Sequence, residues 1–253
     1  MAHEWPPTIH HVVRIMQDEF GDHLDGILWT GSRAYGEPRQ NSDWDFFVVH
    51  DQRWRQRRMF TVAHDEIELF INPMDQIRRE FAEEESATIG MFARGHIVFD
   101  RRGRMAALVE EARQRWESAP RLWTPAERDH WRYEALDLVK DIEDILVEDP
   151  DAASYLMGIA MQKVLEGWYR SHQYWEPKAK YVMADMAKRN AEMAFQCRVV
   201  ISHHQSVRRR FEALQQLLDL VLKPLGGRLT AWETERELVA PCDQEIGGGG
   251  WDG

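Results

Sequence analysis

Apolar residues recur at helical spacing from the start of the chain. Ile9, Val12, Val13, Met16 and Phe20 fall on one face of a helix that Thr8 is placed to cap and Gly21 to end. The period then changes. Ile27, Leu28 and Trp29 form a short apolar run that breaks at Gly31-Ser32, and a polar stretch with Gly36, Pro38 and Asn41 as turn formers reads as a loop to Ser42. Trp44-Asp45-Phe46-Phe47-Val48-Val49 is too short for a helix and rich in aromatic and β-branched residues, which predicts a buried strand. After a basic stretch from Arg53 to Arg58, residues 65–71 alternate with period two. Ile67, Leu69 and Ile71 take one face and Glu66 and Glu68 the other, until Asn72-Pro73 stops the strand. A helix from Asp75 to about Glu85, a short strand at Ile97-Val98-Phe99 and a charged helix from about Gly103 to Glu117 complete this half.

Beyond Pro120 and Pro125 the period-two alternation disappears. Helical patterns run roughly over 126–148, 151–172, 178–192 and 194–223, with breaks at Asp149-Pro150 and Glu176-Pro177 and an end at Pro224 and Gly226-Gly227. The expected class is α+β: a sheet-bearing domain over 1–119, an all-α helical bundle over 120–240, and a flexible Gly-rich tail over 241–253 that contains Gly247 to Gly250. On the 194–223 pattern, His203 and His204 lie inside a helix, where neighbours point about 100° apart and do not chelate one metal together.

Composition narrows the partners. A chain of 253 residues with 43% hydrophobic content has enough apolar surface for a substantial core, while a net charge of -11 disfavours attraction to nucleic acid or to an anionic membrane. A small-molecule partner is therefore expected, with no nucleic acid and no membrane. Cys197 and Cys242 are far apart and lack metal-finger spacing, so neither a disulfide framework nor a structural zinc site is indicated, and a reducing cytoplasm fits. The start M-A-H-E-W-P-P does not resemble a secretory signal, and nowhere do 18 apolar residues run together.

Chemistry concentrates in one segment: Gly31-Ser32-Arg33-Ala34-Tyr35-Gly36, then Ser42-Asp43-Trp44-Asp45 leading into the apolar strand. Carboxylates at i and i+2 of a strand point to one face, so Asp43 and Asp45 can reach the same divalent cation. Hard oxygen ligands suit magnesium, which commonly takes its remaining ligands from water and substrate phosphates. Gly31 allows close approach of the backbone to a phosphate, and Ser32 can cap a short helix whose free N–H groups favour an anion.

In this order, apolar strand, Gly-Ser, loop, Ser-Asp-x-Asp and apolar strand, the segment resembles the nucleotidyltransferase superfamily typified by DNA polymerase β. The likeness is greatest to its small bacterial members that adenylylate aminoglycosides, and it spans roughly residues 20–100. The resemblance implies a small mixed sheet with flanking helices in the N-terminal domain. It implies that Gly31 and Ser32 contact nucleotide phosphates and that Asp43 and Asp45 bind metal, with two magnesium ions expected. A third acid, from a neighbouring strand, matches Glu68 in Ile67-Glu68-Leu69, with Glu66 as its rival on the same face for the third ligand or the general base. Arg33 beside the turn and Lys178, with Lys180 and Tyr181 near it, are further candidates to touch the triphosphate.

The implied reaction moves a nucleoside monophosphate, AMP if the substrate is ATP, onto a hydroxyl of a small molecule with release of pyrophosphate. Two alternatives stand beside it: modification of a protein acceptor, as in antitoxin-like relatives, and a non-catalytic nucleotide-binding scaffold. Between Glu127 and Asp151 ten acids face three bases, and Glu134, Asp137, Asp141 and Asp144 share one helix face, with Leu138, Ile142 and Ile145 available to pack inward. That stripe is either a solvated surface or an attraction for a cationic, aminoglycoside-like acceptor.

Overall fold

The computed structural model describes residues 5–236. Cys242 and the Gly247–Gly250 run lie outside the described residues. Helix α1 spans Pro7–Phe20 and buries Ile9, Val12, Met16 and Phe20, as their spacing requires. Its start differs from expectation. Pro6 holds the N-cap position and Pro7 begins the helix, so Thr8 is not a cap, and its hydroxyl instead donates to Asp65 at 2.9 Å.

Five strands follow, β1 (Leu24–Thr30), β2 (Trp44–His50), β3 (Gln56–Val62), β4 (Asp65–Pro73) and β5 (His96–Asp100), in the sheet order β3-β4-β2-β1-β5. Among the described residues, only β2 and β4 pair in parallel and every other pairing is antiparallel, so the sheet is mixed. The basic stretch conceals the edge strand β3, whose Arg57, Met59 and Thr61 are exposed. A four-residue helix, α2 (Gly31–Ala34), leaves the end of β1. Helices α3 (Met74–Ala82), α4 (Ser86–Arg94) and α5 (Arg104–Ser118) cover one face of the sheet, burying Ile77, Phe81, Phe92 and Leu108 against Leu28, Phe47 and Val49. On the other face, α1 packs against Phe46, Val48, Ile67, Leu69 and Ile71. Each fully buried side chain of this size contributes roughly 1.5–3 kcal/mol.

The second half is helical throughout, with its own core around Trp131, Val139, Met157, Tyr169 and Leu214. Helix α6 (Pro125–Ile145) begins with a capping box: Thr124 accepts from the Glu127 N–H at 3.2 Å and its own N–H donates to the Glu127 carboxylate at 2.8 Å. Asp149 caps α7 (Pro150–Ser171), and α8 (Ala179–Arg189) follows the Glu176-Pro177 break. The expected long final helix is two helices, α9 (Ala191–Ile201) and α10 (Val207–Leu222), because Ser206 accepts from the Arg209 N–H at 3.2 Å and restarts the chain as a fresh N-terminus. His203 and His204 therefore occupy the turn between them and not a helix, and their rings lie 4.0 Å apart.

The halves are joined through specific contacts. Trp175 stacks on Trp116 with ring centroids 5.6 Å apart, and its indole N–H donates to the Trp116 carbonyl at 2.9 Å. Glu84, between α3 and α4, accepts from Arg170 of α7, and Ser86 donates to the Glu176 carbonyl at 3.4 Å. Among the described residues, no helix is long and apolar enough to cross a membrane.

Candidate active site

The turn after β1 is built around one carboxylate. Gly31 has φ +79°, a left-handed conformation, and a Cβ placed on it would fall inside the Asp45 carboxylate. The bare backbone at Gly31 is thus required first by a protein acid, before any phosphate. Thr30, fully buried, donates to the Met91 carbonyl at 3.0 Å and shares a 2.7 Å hydrogen bond with the Tyr35 hydroxyl, which fixes the turn from beneath. Ser32 is not the cap of α2: Thr30 holds that position, without a side-chain bond to the helix. The Ser32 hydroxyl donates to Ser42 Oγ at 2.8 Å, and the same oxygen accepts from the Arg39 N–H at 2.8 Å, which closes the loop onto the turn. Arg33 is tied into this closure. Its Nε donates to the Ser42 carbonyl at 2.8 Å, its guanidinium lies 5.1 Å from the Trp44 ring, and Asp65 is 3.9 Å away.

Closing the loop brings the acids together. In the parallel pairing of β2 with β4, Asp45 lies directly beside Glu68. Oxygens of Asp43, Asp45 and Glu68 all lie within 4.8 Å of one another. Glu66 is outside that group, exposed, and opposite Thr61 of β3. Asp45 is only 6% exposed, and burial, reinforced by Asp43 and Glu68, pushes its carboxyl up to about 6, while Lys178 and Lys180 pull it the other way. Three converging hard-oxygen donors, one of them buried at a cost to its ionised form, fit a divalent cation. Arg57 of β3 donates to Glu68 Oε1 at 2.7 Å and so occupies one oxygen of the third acid.

The charge opposite these acids comes from the other half of the chain. Lys178 immediately precedes α8 and Lys180 lies in its first turn, both close enough to influence Asp45. Tyr181 joins the two sides, with the Arg39 guanidinium 5.5 Å and the Lys180 ammonium 5.2 Å from its ring. A cavity of about 280 Å³ lies between the halves, lined by Glu83, Glu166 and Glu176, by the Glu84–Arg170 ion pair and by the rings of Trp123, Tyr169, Tyr174 and Trp175. Burial, with Glu166 nearby, raises the Glu176 carboxyl above its ordinary value. The acidic stripe of α6 begins at Glu134, which binds Lys163 at 2.7 Å, and Lys163 is 3.8 Å from Glu166 of that cavity. Asp137, Asp141 and Asp144 are exposed, while Ile142 is buried and Leu138 and Ile145 pack partly against the helical core.

Sequence patterns had missed Arg57 and the Thr30–Tyr35 pair. Arg57 would have been found only by recognising β3, where Arg58, Phe60 and Val62 alternate as the more covered side.

Residues 9–102 match the nucleotidyltransferase domain family. The chain resembles the crystal structure of a nucleotidyltransferase-like protein from Exiguobacterium sibiricum, with a TM-score of 0.55 and 11% identity over 85% of this chain and 75% of that one, a likeness of fold. No curated protein matches.

Proposed function

Given that residues 9–102 form a nucleotidyltransferase domain of the polymerase β-like superfamily, we propose that this enzyme moves a nucleoside monophosphate onto a hydroxyl of a small, cationic molecule. ATP is the donor in this proposal, and pyrophosphate leaves. The single observation that carries it is the convergence of Asp43, Asp45 and Glu68 within 4.8 Å.

Asp43 and Asp45 hold magnesium, with Glu68 as third ligand. The metal, two ions in this family's chemistry, supplies neutralisation of phosphate charge and favours ionisation of the acceptor hydroxyl. Gly31 and Ser32 border the phosphates, and Lys178 neutralises the triphosphate from the helical side, with Lys180 beside it. Arg33 acts on the phosphates only through the loop it holds to Ser42. The acceptor oxygen forms a bond to the α-phosphorus as the bond from that phosphorus to the pyrophosphate oxygen breaks. The hydroxyl proton passes to a carboxylate, Glu68 by its place in the acid group, with Glu66 two residues away on the same face as the alternative.

We assign catalysis to residues 1–119 and acceptor binding to the helical domain, 120–240. The cavity between the halves supports a cationic acceptor, because Glu83, Glu166 and Glu176 supply negative charge beyond the Glu84–Arg170 pair and four aromatic rings line it. The test is direct. The purified chain is incubated with magnesium, each nucleoside triphosphate and a panel of amine-bearing, neutral and anionic alcohols, and pyrophosphate and adduct masses are measured. An amine-bearing adduct whose mass rises by one nucleotide supports the proposal, and absence of any magnesium-dependent adduct refutes it.

A further inference from the structure

At the end of the sheet remote from the acid group, where β2 finishes, a second cavity of about 660 Å³ opens between the β2–β3 loop and the start of α3. Its charge runs against that of the chain. Arg53, Arg55 and Arg79 line it, are exposed, and have no side-chain ion pair or hydrogen bond among the described residues. Two of the three acids on its wall are already engaged, Asp25 by Arg104 at 3.0 Å and Asp51 by His23 at 2.9 Å. Asp75 has no side-chain partner among the described residues, and with His23 neutral Asp51 keeps its charge, so the lining, Arg104 included, sets four arginines against three carboxylates in a protein of net charge -11. Helix α3, nine residues long, directs its N-terminus here, and no side chain caps it.

A buried group supplies the independent sign of a ligand. His50 is 0% exposed and lines the cavity. Its Nδ1 accepts from the Gln52 N–H at 3.1 Å, which leaves the ring proton on Nε2. That Nε2 is buried and has no hydrogen-bond partner. A buried donor without a partner is unfavourable, so an incoming acceptor atom would relieve it. The His50 ring packs against Phe20, at 5.4 Å, and Trp54, at 4.5 Å, which stack on each other at 5.7 Å, and Trp54 remains 40% exposed at the cavity mouth.

We propose that this cavity is a second ligand site that binds the phosphate group of a small molecule through Arg53, Arg55, Arg79, the α3 N-terminus and the His50 ring. Arginine clusters and helix N-termini both select phosphate oxygens. The phosphate can be free or belong to a nucleotide, and Trp54 distinguishes the two, since only a nucleotide offers a base to stack on it.

The experiment uses the full chain carrying Asp43→Asn and Asp45→Asn, in magnesium-free buffer with chelator, so that the catalytic site does not report. Titration calorimetry at constant ionic strength is run with inorganic phosphate and with adenosine monophosphate. Saturable binding is expected, weakened about tenfold or more by Arg79→Ala and by the Arg53→Ala, Arg55→Ala pair, each step of that size being about 1.4 kcal/mol. Arg208→Ala, at an exposed position in the first turn of α10, should leave affinity unchanged. Tighter binding of the nucleotide, lost in Trp54→Ala, identifies a nucleotide ligand; equal affinities identify bare phosphate. All four arginines are exposed or half-covered at the surface, so folding of the variants can be confirmed by circular dichroism before titration. No saturable binding of either probe, or equal losses in Arg79→Ala and Arg208→Ala, overturns the proposal.

Discussion

Neutralising Asp45 should stabilise the metal-free protein while abolishing its response to metal. The carboxyl is 6% exposed and is pushed from its ordinary value near 3.8 up to about 6 by burial and by Asp43. The folded chain therefore binds the Asp45 proton more tightly than the unfolded chain does. Stability from this group falls as pH rises from about 4 to about 6, and the full cost, about 3 kcal/mol, is present above that window. Asparagine carries no charge to desolvate, so Asp45→Asn should gain up to that amount at pH 8 with chelator, less whatever its amide loses in poorer hydrogen bonding. Urea unfolding at pH 8 and pH 4 measures it: the variant should have the higher midpoint at pH 8, and most of the difference should be gone at pH 4. Added magnesium and ATP should then raise the midpoint of the parent and leave the variant unmoved. A variant less stable than the parent at pH 8, or a difference independent of pH, would refute the reasoning that burial of charge at Asp45 is an expense met by a cation.

Gly31→Ala combines a left-handed φ with a Cβ inside the Asp45 carboxylate, so it should displace that acid and remove most nucleotidyl transfer in a chain whose circular dichroism is native. Arg57→Ala frees an oxygen of Glu68 and should lower the magnesium concentration needed for half-maximal turnover, as read from metal titration of the rate. Gly167→Ala drives a Cβ into the Trp131 ring and should cost about 1–3 kcal/mol in chemical denaturation, with Val as a worse replacement. Trp175→Ala removes the stack on Trp116 three residues before Lys178, and should raise KM for the triphosphate several-fold while the melting response to magnesium alone is kept.

Where apolar spacing was strong, the elements could be read directly: α1, β2 and β4 each bury the residues their period singles out. The acid pair was legible from its place at the start of a strong apolar strand, although only Asp45 lies on β2 and Asp43 reaches the same group from the residue before it, and Glu68 followed once β4 was recognised. Edge strand β3 escaped because an edge needs no apolar alternation strong enough to stand out from Arg53, Arg55, Arg57 and Arg58. The break between α9 and α10 escaped because a serine cap, without proline or glycine, was enough to end one helix and start another. Thr8 shows the converse error. A good capping residue was present, but the prolines before it had already begun the helix, and its hydroxyl was free to bind Asp65.

The electrostatics of the site divide along the same line as the cores. Asp45 and Glu68 come from paired strands of the sheet and Asp43 from the residue just before β2, and the cations that offset Asp45 come from the start of α8. Neither half alone is balanced. The acids repel one another and raise a buried carboxyl, whereas Lys178 and Lys180 have their influence on it only because Trp175, Glu176 and Glu84 hold the helical half against the sheet-bearing half. A triphosphate with bound magnesium has the complementary division, positive toward the acids and negative toward the lysines. Its binding would therefore satisfy both halves at once and strengthen the contact that Trp175, Glu176 and Glu84 already make.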